Sequence, residues 1–234
     1  MLSAVIFDID GTLVDSVDLH AEAWRKAMLR FGRDVPLERV RRQIGKGSDQ
    51  LLPVFFSEDE LQQMGEELTK QRGEMYQQEF MPQVKPFPGV PALFRRLRAD
   101  GRRIVLASSA KREELDALMD IAGVRDLVDG TTSSDDAERS KPHPDIFEAA
   151  LDQLGSVDLR EVVVVGDTPY DAEAAAKLGL PCLGVLCGGF PEQDLLEAGC
   201  VAIFRDPEDL LARYEEWTAG SEERRSGEGL AITP

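Results

Sequence analysis

The stretch Val162-Val163-Val164-Val165-Gly166-Asp167 decides the fold. Four β-branched residues in succession, with no polar alternation, describe a strand covered on both faces. Parallel sheets of α/β proteins create that position, whereas an amphipathic edge strand alternates. An acidic residue follows directly after the glycine. Ligands of open parallel sheets bind beyond the carboxyl ends of the strands, so Asp167 stands where chemistry is expected.

Outward from this run, further short apolar segments occupy 4–7, 104–107, 183–186 and 201–204. Helical periodicity fills the intervals 90–98, 113–121, 146–154 and 172–178. This alternation predicts a Rossmann-like parallel sheet with helices on both faces. One interval departs from it: from Ser16 to about Met81 the pattern is helical, opening with Leu19, Ala23, Ala27 and Phe31 at helical spacing. It ends at Lys85-Pro86-Phe87-Pro88-Gly89, whose prolines and glycine suggest a hinge. The expected organisation is therefore a catalytic core from 1–15 and 84–217, an inserted α-helical cap from 16–83, and a tail from 218–234 too polar to build a core. No internal repeat is present.

Composition narrows the function. With 42% hydrophobic and 30% charged residues the chain is expected to be folded and soluble. A formal charge of −17 disfavours nucleic acid and anionic membranes as partners, and it repels anionic substrates unless something local reverses the field. The odd set Cys182, Cys187 and Cys200 contains no CxxC pair, and only His20 and His143 are histidines. Reduced thiols, a cytoplasmic setting and no zinc site follow as expectations. The start lacks a basic region and its apolar stretch ends at Asp8, unlike a signal peptide, and no stretch reaches the length of a membrane span.

The residues after the strands are those that phosphoryl transfer needs. The segment Phe7-Asp8-Ile9-Asp10-Gly11-Thr12-Leu13 follows the first apolar run. Asp8 and Asp10, two residues apart in extended chain, can face one cavity, where their repulsion calls for a divalent cation. Asp167 and Asp171 add oxygen ligands of the hard kind that magnesium prefers. Gly11 permits a sharp turn, and Thr12 has an N–H and a hydroxyl to offer an anion. Ser108 and Ser109 precede a helix expected to begin near Lys111, a place suited to phosphate. Lys141, within Ser140-Lys141-Pro142-His143-Pro144-Asp145, supplies a compact positive charge in a loop stiffened by prolines.

These motifs in this order, Asp8-Ile9-Asp10-Gly11-Thr12, Ser108, Ser140-Lys141-Pro142 and Gly166-Asp167 with Asp171, resemble the haloacid dehalogenase superfamily, in the group with a helical cap inserted after the first motif. The resemblance implies a magnesium-dependent phosphatase acting on a small phosphate ester of the phosphoglycolate or sugar phosphate kind. It implies Asp8 as nucleophile, Asp10 as general acid and base, and an aspartyl-phosphate intermediate. The metal would sit on Asp8, Asp10 and Asp167, with Asp171 nearby. Gly11, Thr12, Ser108, Ser109 and Lys141 would hold the phosphoryl group. The Asp15-Ser16 pair, His20 and Trp24 also resemble β-phosphoglucomutase, so a phosphomutase is the alternative, although 45–48 lacks the arginine expected there in the mutases. A binding protein without turnover would have no reason to keep every catalytic group.

Each residue also has a plainer reading. Asp171 can be a turn or cap residue, and Ser108 a helix N-cap. In the expected cap, Arg39, Arg41 and Arg42 can form a solvated face with paired charges. Lys46 and Ser48, between the flexible Gly45 and Gly47, are stronger candidates for touching the substrate. His20 is a third candidate, while Trp24 reads as core. A monomer or weak dimer is expected.

Overall fold

The computed structural model describes residues 2–219. Its strands are β1 (Ala4–Phe7), β2 (Val14–Asp15), β3 (Lys85–Pro86), β4 (Arg103–Ala107), β5 (Gly130–Thr132), β6 (Val162–Gly166), β7 (Cys182–Val185) and β8 (Cys200–Phe204). Its helices are α1 (Val17–Arg30), α2 (Leu37–Arg41), α3 (Ser48–Leu51), α4 (Glu58–Met75), α5 (Val90–Ala99), α6 (Arg112–Ala122), α7 (Asp145–Leu154), α8 (Pro169–Lys177), α9 (Glu192–Glu197) and α10 (Pro207–Ala212).

Six strands form one parallel sheet in the order β5-β4-β1-β6-β7-β8. The valine run is central and buried throughout, as its composition predicts. Period-two alternation then sorts side chains between the faces. Val5, Phe7, Val163 and Val165 meet Leu93 and Phe94 of α5, Leu115 and Leu118 of α6, and Leu210 of α10. Ala4, Ile6, Val162 and Val164 meet Phe147 and Ala150 of α7 and Ala172 and Ala175 of α8. Helices thus cover both faces, and truncating a buried side chain such as Phe94 costs about 3–5 kcal/mol.

Register sets the site. Phe7 lies opposite Leu106 on β4 and Val165 on β6, so three strands end at one level. Asp8, Ser108 and Asp167 therefore emerge at the same sheet edge, where strand order reverses about β1.

Between β2 and β3 the regular structure is helical. Val17, Trp24, Met28, Val40, Leu51, Phe56 and Leu68 form a core of their own, which is why this insertion needs no sheet. Its entry and exit pair as an antiparallel ribbon, Val14 opposite Pro86 and Asp15 opposite Lys85. The expected hinge residues are thus partly strand.

Two details differ from the sequence reading. The edge strand β5 was not anticipated, because Gly130-Thr131-Thr132 has neither length nor apolar pattern. At the other end, Tyr214 and Trp217 are buried in the first core, with Trp217 Nε1 donating to Leu210 O at 2.9 Å. Thr218, where the tail was expected to begin, is also buried, and most of that tail, 220–234, lies outside the described residues. Among the described residues no helix is long and apolar enough to cross a membrane.

Candidate active site

The loop leaving β1 is wound tightly. Asp8 N–H donates to Val165 O at 2.9 Å, Gly11 N–H to Val14 O at 2.9 Å and Thr12 N–H to Ile9 O at 3.3 Å. Gly11 has φ 80°, a conformation that favours glycine, and a Cβ there would collide with Asp167. Gly11 makes the sharp turn expected of it; the turn uses the N–H groups of both Gly11 and Thr12, which leaves the Thr12 hydroxyl of the two donors expected there.

Lys141 is completely buried between two carboxylates. Its Nζ lies 2.6 Å from Asp8 Oδ1 and 2.6 Å from Asp171 Oδ1, and it donates to Ala107 O at 3.3 Å. Thr12 Oγ1 stands 3.1 Å from both Asp8 Oδ2 and Asp167 Oδ1. The second oxygen of Asp171 accepts from Thr168 N–H at 3.1 Å and Thr168 Oγ1 at 2.6 Å, closing a capping box at the start of α8. Asp171 is therefore a cap residue through one oxygen and a partner of Lys141 through the other.

Burial raises the Asp8 carboxyl to about 7, against the lowering effect of Lys141 and with the charges of Asp171 and Asp10 adding to it. Asp167 is pushed well above the usual range by burial, then by Asp8 and Asp171. For Lys141 burial acts the other way, but the charges of Asp171 and Asp8 outweigh it and hold the ammonium on. One lysine thus faces three carboxylates whose ligand oxygens lie within 4.8 Å of one another. Asp167 Oδ2 is buried with no hydrogen-bond partner. This excess of negative charge with an unsatisfied oxygen fits a hard divalent cation.

Asp10 lines the same cavity, but its carboxylate turns to different partners. Its Oδ1 accepts from Ser16 Oγ at 2.6 Å and lies 2.9 Å from His20 Nε2. Arg72 contacts His20 Nδ1 and, being donor-only, requires that nitrogen to be the acceptor. In a neutral ring the proton then sits on Nε2 and is donated to Asp10. Burial opposes ionisation of Asp10, yet His20, Ser16 and Arg72 together hold its carboxyl below the usual range. His20 also stacks on Tyr76, with centroids 4.0 Å apart. Expected as a substrate contact, His20 is placed as the partner of Asp10.

Sequence reading missed two members of this group. Arg72 on α4 lies over the rings of Trp24 and Tyr76, at 5.0 and 4.8 Å. Its Nη1 is 3.7 Å from Glu114 Oε2 on α6, and Glu114 Oε1 is 3.8 Å from His20 Nε2. Neither belongs to a motif, and only the tertiary structure brings a side chain of α4 to one of α6. The apolar stripe of α6 gives no signal for Glu114.

The loop between α2 and α3 closes over this edge of the sheet. Gly47 N–H donates to Ser140 Oγ at 2.9 Å, and Asp49 accepts from Ser140 N–H at 3.0 Å and from its hydroxyl. Ser109 Oγ donates to Gly45 O at 3.3 Å. Lys46 and Ser48 both line the cavity, though Lys46 Nζ donates to Gln43 Oε1 at 2.7 Å and lies 4.4 Å above the Tyr170 ring. Burial lowers the pKa of Lys46. The arginines take structural places: Arg41 bridges Asp18 Oδ1 at 2.6 Å and Gly188 O at 3.0 Å, Arg42 pairs with Glu38 at 3.3 Å, and Arg39 covers Phe55. Ser108 is not an N-cap. Its hydroxyl accepts from Ala110 N–H at 3.0 Å, and Lys111 holds the cap position of α6. The cavity is about 1050 Å³.

A family model described as haloacid dehalogenase-like hydrolase matches residues 2–179. The chain belongs to the haloacid dehalogenase-like hydrolase family. It is 30% identical over 217 residues to a phosphorylated carbohydrates phosphatase of Thermotoga maritima, across 92% of this chain and 99% of that protein. It is 28% identical over 243 residues to a phosphoglycolate phosphatase of Rhodospirillum rubrum, across 100% and 97% of the two chains. A solved hydrolase from Pseudomonas syringae superposes with TM-score 0.83 at 26% identity, across 92% of this chain and 99% of its own. As a haloacid dehalogenase-like hydrolase with relatives of this kind, the protein is an enzyme.

Proposed function

We propose that this hydrolase is a magnesium-dependent phosphatase of small phosphate esters, working through a phosphoryl group carried on Asp8. The observation that supports this most is the different pairing of two neighbouring carboxylates. Asp8 faces Lys141 at 2.6 Å, whereas Asp10 is held by Ser16 and His20 at 2.6 and 2.9 Å. Asp8 thus lies beside the cation that offsets its charge, and Asp10 beside a hydroxyl and an imidazole that orient it.

In this reading an Asp8 oxygen attacks phosphorus while the bond from phosphorus to the ester oxygen breaks, and Asp10 gives that oxygen its proton, which it has to bind with the substrate in place against the lowering effect of His20, Ser16 and Arg72. Asp10 then takes a proton from a water that attacks the phosphorus on Asp8, releasing phosphate and restoring both carboxyl groups. Asp8, Asp167 and the carbonyl of Asp10 would hold magnesium, with Asp171 close by, and the ion would neutralise the phosphoryl oxygens. Lys141 offsets the charge of Asp8 as the anion approaches, and the Ser108 and Ser109 hydroxyls would turn from Ala110 and Gly45 to orient it. His20 positions Asp10 by donating to it. The helical insertion acts as a cap that excludes water from the cavity.

The test is hydrolysis of a generic aryl phosphate with added magnesium. Release of phosphate by the parent, and none above background by Asp8→Asn, is the expected result. Parental rates from Asp8→Asn would remove the nucleophile assignment. Glucose 1-phosphate should likewise yield free phosphate rather than an isomerised sugar phosphate.

A further inference from the structure

We infer that the Arg72–Glu114 pair makes the enzyme select esters whose leaving group is a neutral polyhydroxyl compound over those that carry a second anion. The inference rests on the phosphatase reading above, because it uses Asp10 to locate the leaving oxygen. A group protonated by Asp10 leaves into the part of the cavity that Asp10 shares with His20, Arg72 and Glu114. Arg72 and Glu114 lie 3.7 Å apart, with side chains only 13% and 9% exposed, so each largely neutralises the other where solvent screens little. Arg72 therefore has no spare charge for a substrate anion.

The two groups remain good hydrogen-bonding partners. Glu114 accepts, Arg72 only donates, and a hydroxyl does both. A sugar or polyol places hydroxyls on the carbons next to its leaving oxygen and can satisfy the pair. A carboxylate on the neighbouring carbon instead approaches the Glu114 carboxylate, and like charges at close quarters are costly. The walls beyond are mixed: Gln77 and Gln78 offer amides, Glu74 and Glu113 negative charge, and Lys46, Lys70 and Lys111 positive charge, so the discrimination rests on the pair beside Asp10. A cavity of about 1050 Å³ also has far more room than a two-carbon leaving group needs.

The experiment compares kcat/KM for hexose and polyol monophosphates with kcat/KM for 2-phosphoglycolate and 3-phosphoglycerate. It uses the parent, Glu114→Gln and Arg72→Met. Comparing two substrates on one preparation cancels any loss of folded enzyme. The best neutral ester should exceed the best carboxylated one by about tenfold or more in the parent. Glu114→Gln frees the charge of Arg72 and should shift the ratio about tenfold toward the carboxylated esters. Arg72→Met leaves Glu114 unpaired and should shift it the other way, so either variant alone suffices if the other fails to fold. A parent that prefers a carboxylated ester, or a ratio that neither variant moves, overturns the inference. Absence of all hydrolysis, aryl phosphate included, overturns the phosphatase reading instead.

Discussion

Lys141 Nζ and Asp8 Oδ1 stand 2.6 Å apart, at the end of a loop and the end of a strand separated by more than a hundred residues of chain. The lysine side chain is wholly excluded from solvent, and its second partner, Asp171 Oδ1, is equally near. A buried cation between two carboxylates is held because its attraction to both offsets the cost of taking all three ions out of water. Removing it leaves two acids facing each other across a space made for a charge. Replacing Lys141 with methionine should lower aryl phosphate hydrolysis by roughly 100- to 1,000-fold at neutral pH. Loss of the lysine also raises the Asp8 carboxyl further above about 7. A nucleophile must be ionised, so the acidic limb of the pH–rate profile should move to higher pH, which a steady-state pH series measures.

Asp167 Oδ2 is a buried oxygen to which no protein group donates. A divalent cation bound there stabilises the folded protein by mass action, about 2.7 kcal/mol at a hundred times its Kd. Thermal melts should therefore rise with magnesium and fall back with a chelator. Asp167→Asn should abolish the magnesium-dependent rise, whatever its effect on turnover.

Gly188 packs against that same oxygen, and a Cβ on it would collide with Asp167 Oδ2. Its carbonyl also receives Arg41 at 3.0 Å, so the loop has little freedom to retreat. Gly188→Ala should displace the Asp167 carboxylate and weaken magnesium binding by about 10- to 100-fold. Titrating activity against magnesium reads the change as a higher half-saturation concentration.

Asp49 ties the insertion to the core through Ser140, the residue before Lys141. Burial opposes its ionisation, but the Ser140 hydroxyl and N–H lower its pKa overall. A depressed carboxyl contributes stability above its unfolded pKa and loses it as pH falls through the folded value. The tie should thus persist at pH 6 and weaken below about pH 4. Asp49→Ala should loosen it at every pH. Hydrogen exchange at Gly47 N–H, which donates to Ser140 Oγ at 2.9 Å, should accelerate about fivefold to tenfold.

The central strands were legible because β-branched runs without polar interruption are stable only when covered on both sides, and Val162 to Val165 is such a run. The acidic residues after them were legible for a related reason: strand ends of a parallel sheet converge, so a place after a strand implies proximity at the edge. The helical character of the insertion expected over 16–83 followed from periodicity. The edge strand β5 was not readable, since three residues with two threonines gain their pairing from β4 rather than from their own pattern.

By itself the sequence determined the parallel sheet and the helical insertion, and it singled out Asp8, Asp10 and Asp167 because they lie just after apolar runs and Lys141 because prolines stiffen its loop. Only the tertiary structure decided how those groups divide. Asp8 went to Lys141, Asp10 to His20, and Asp171 to both a helix cap and the lysine. It also brought Arg72 from the insertion to Glu114 from the core. Such pairings depend on which helix faces meet across a cleft, and periodicity along one chain segment carries no information about the face it will meet.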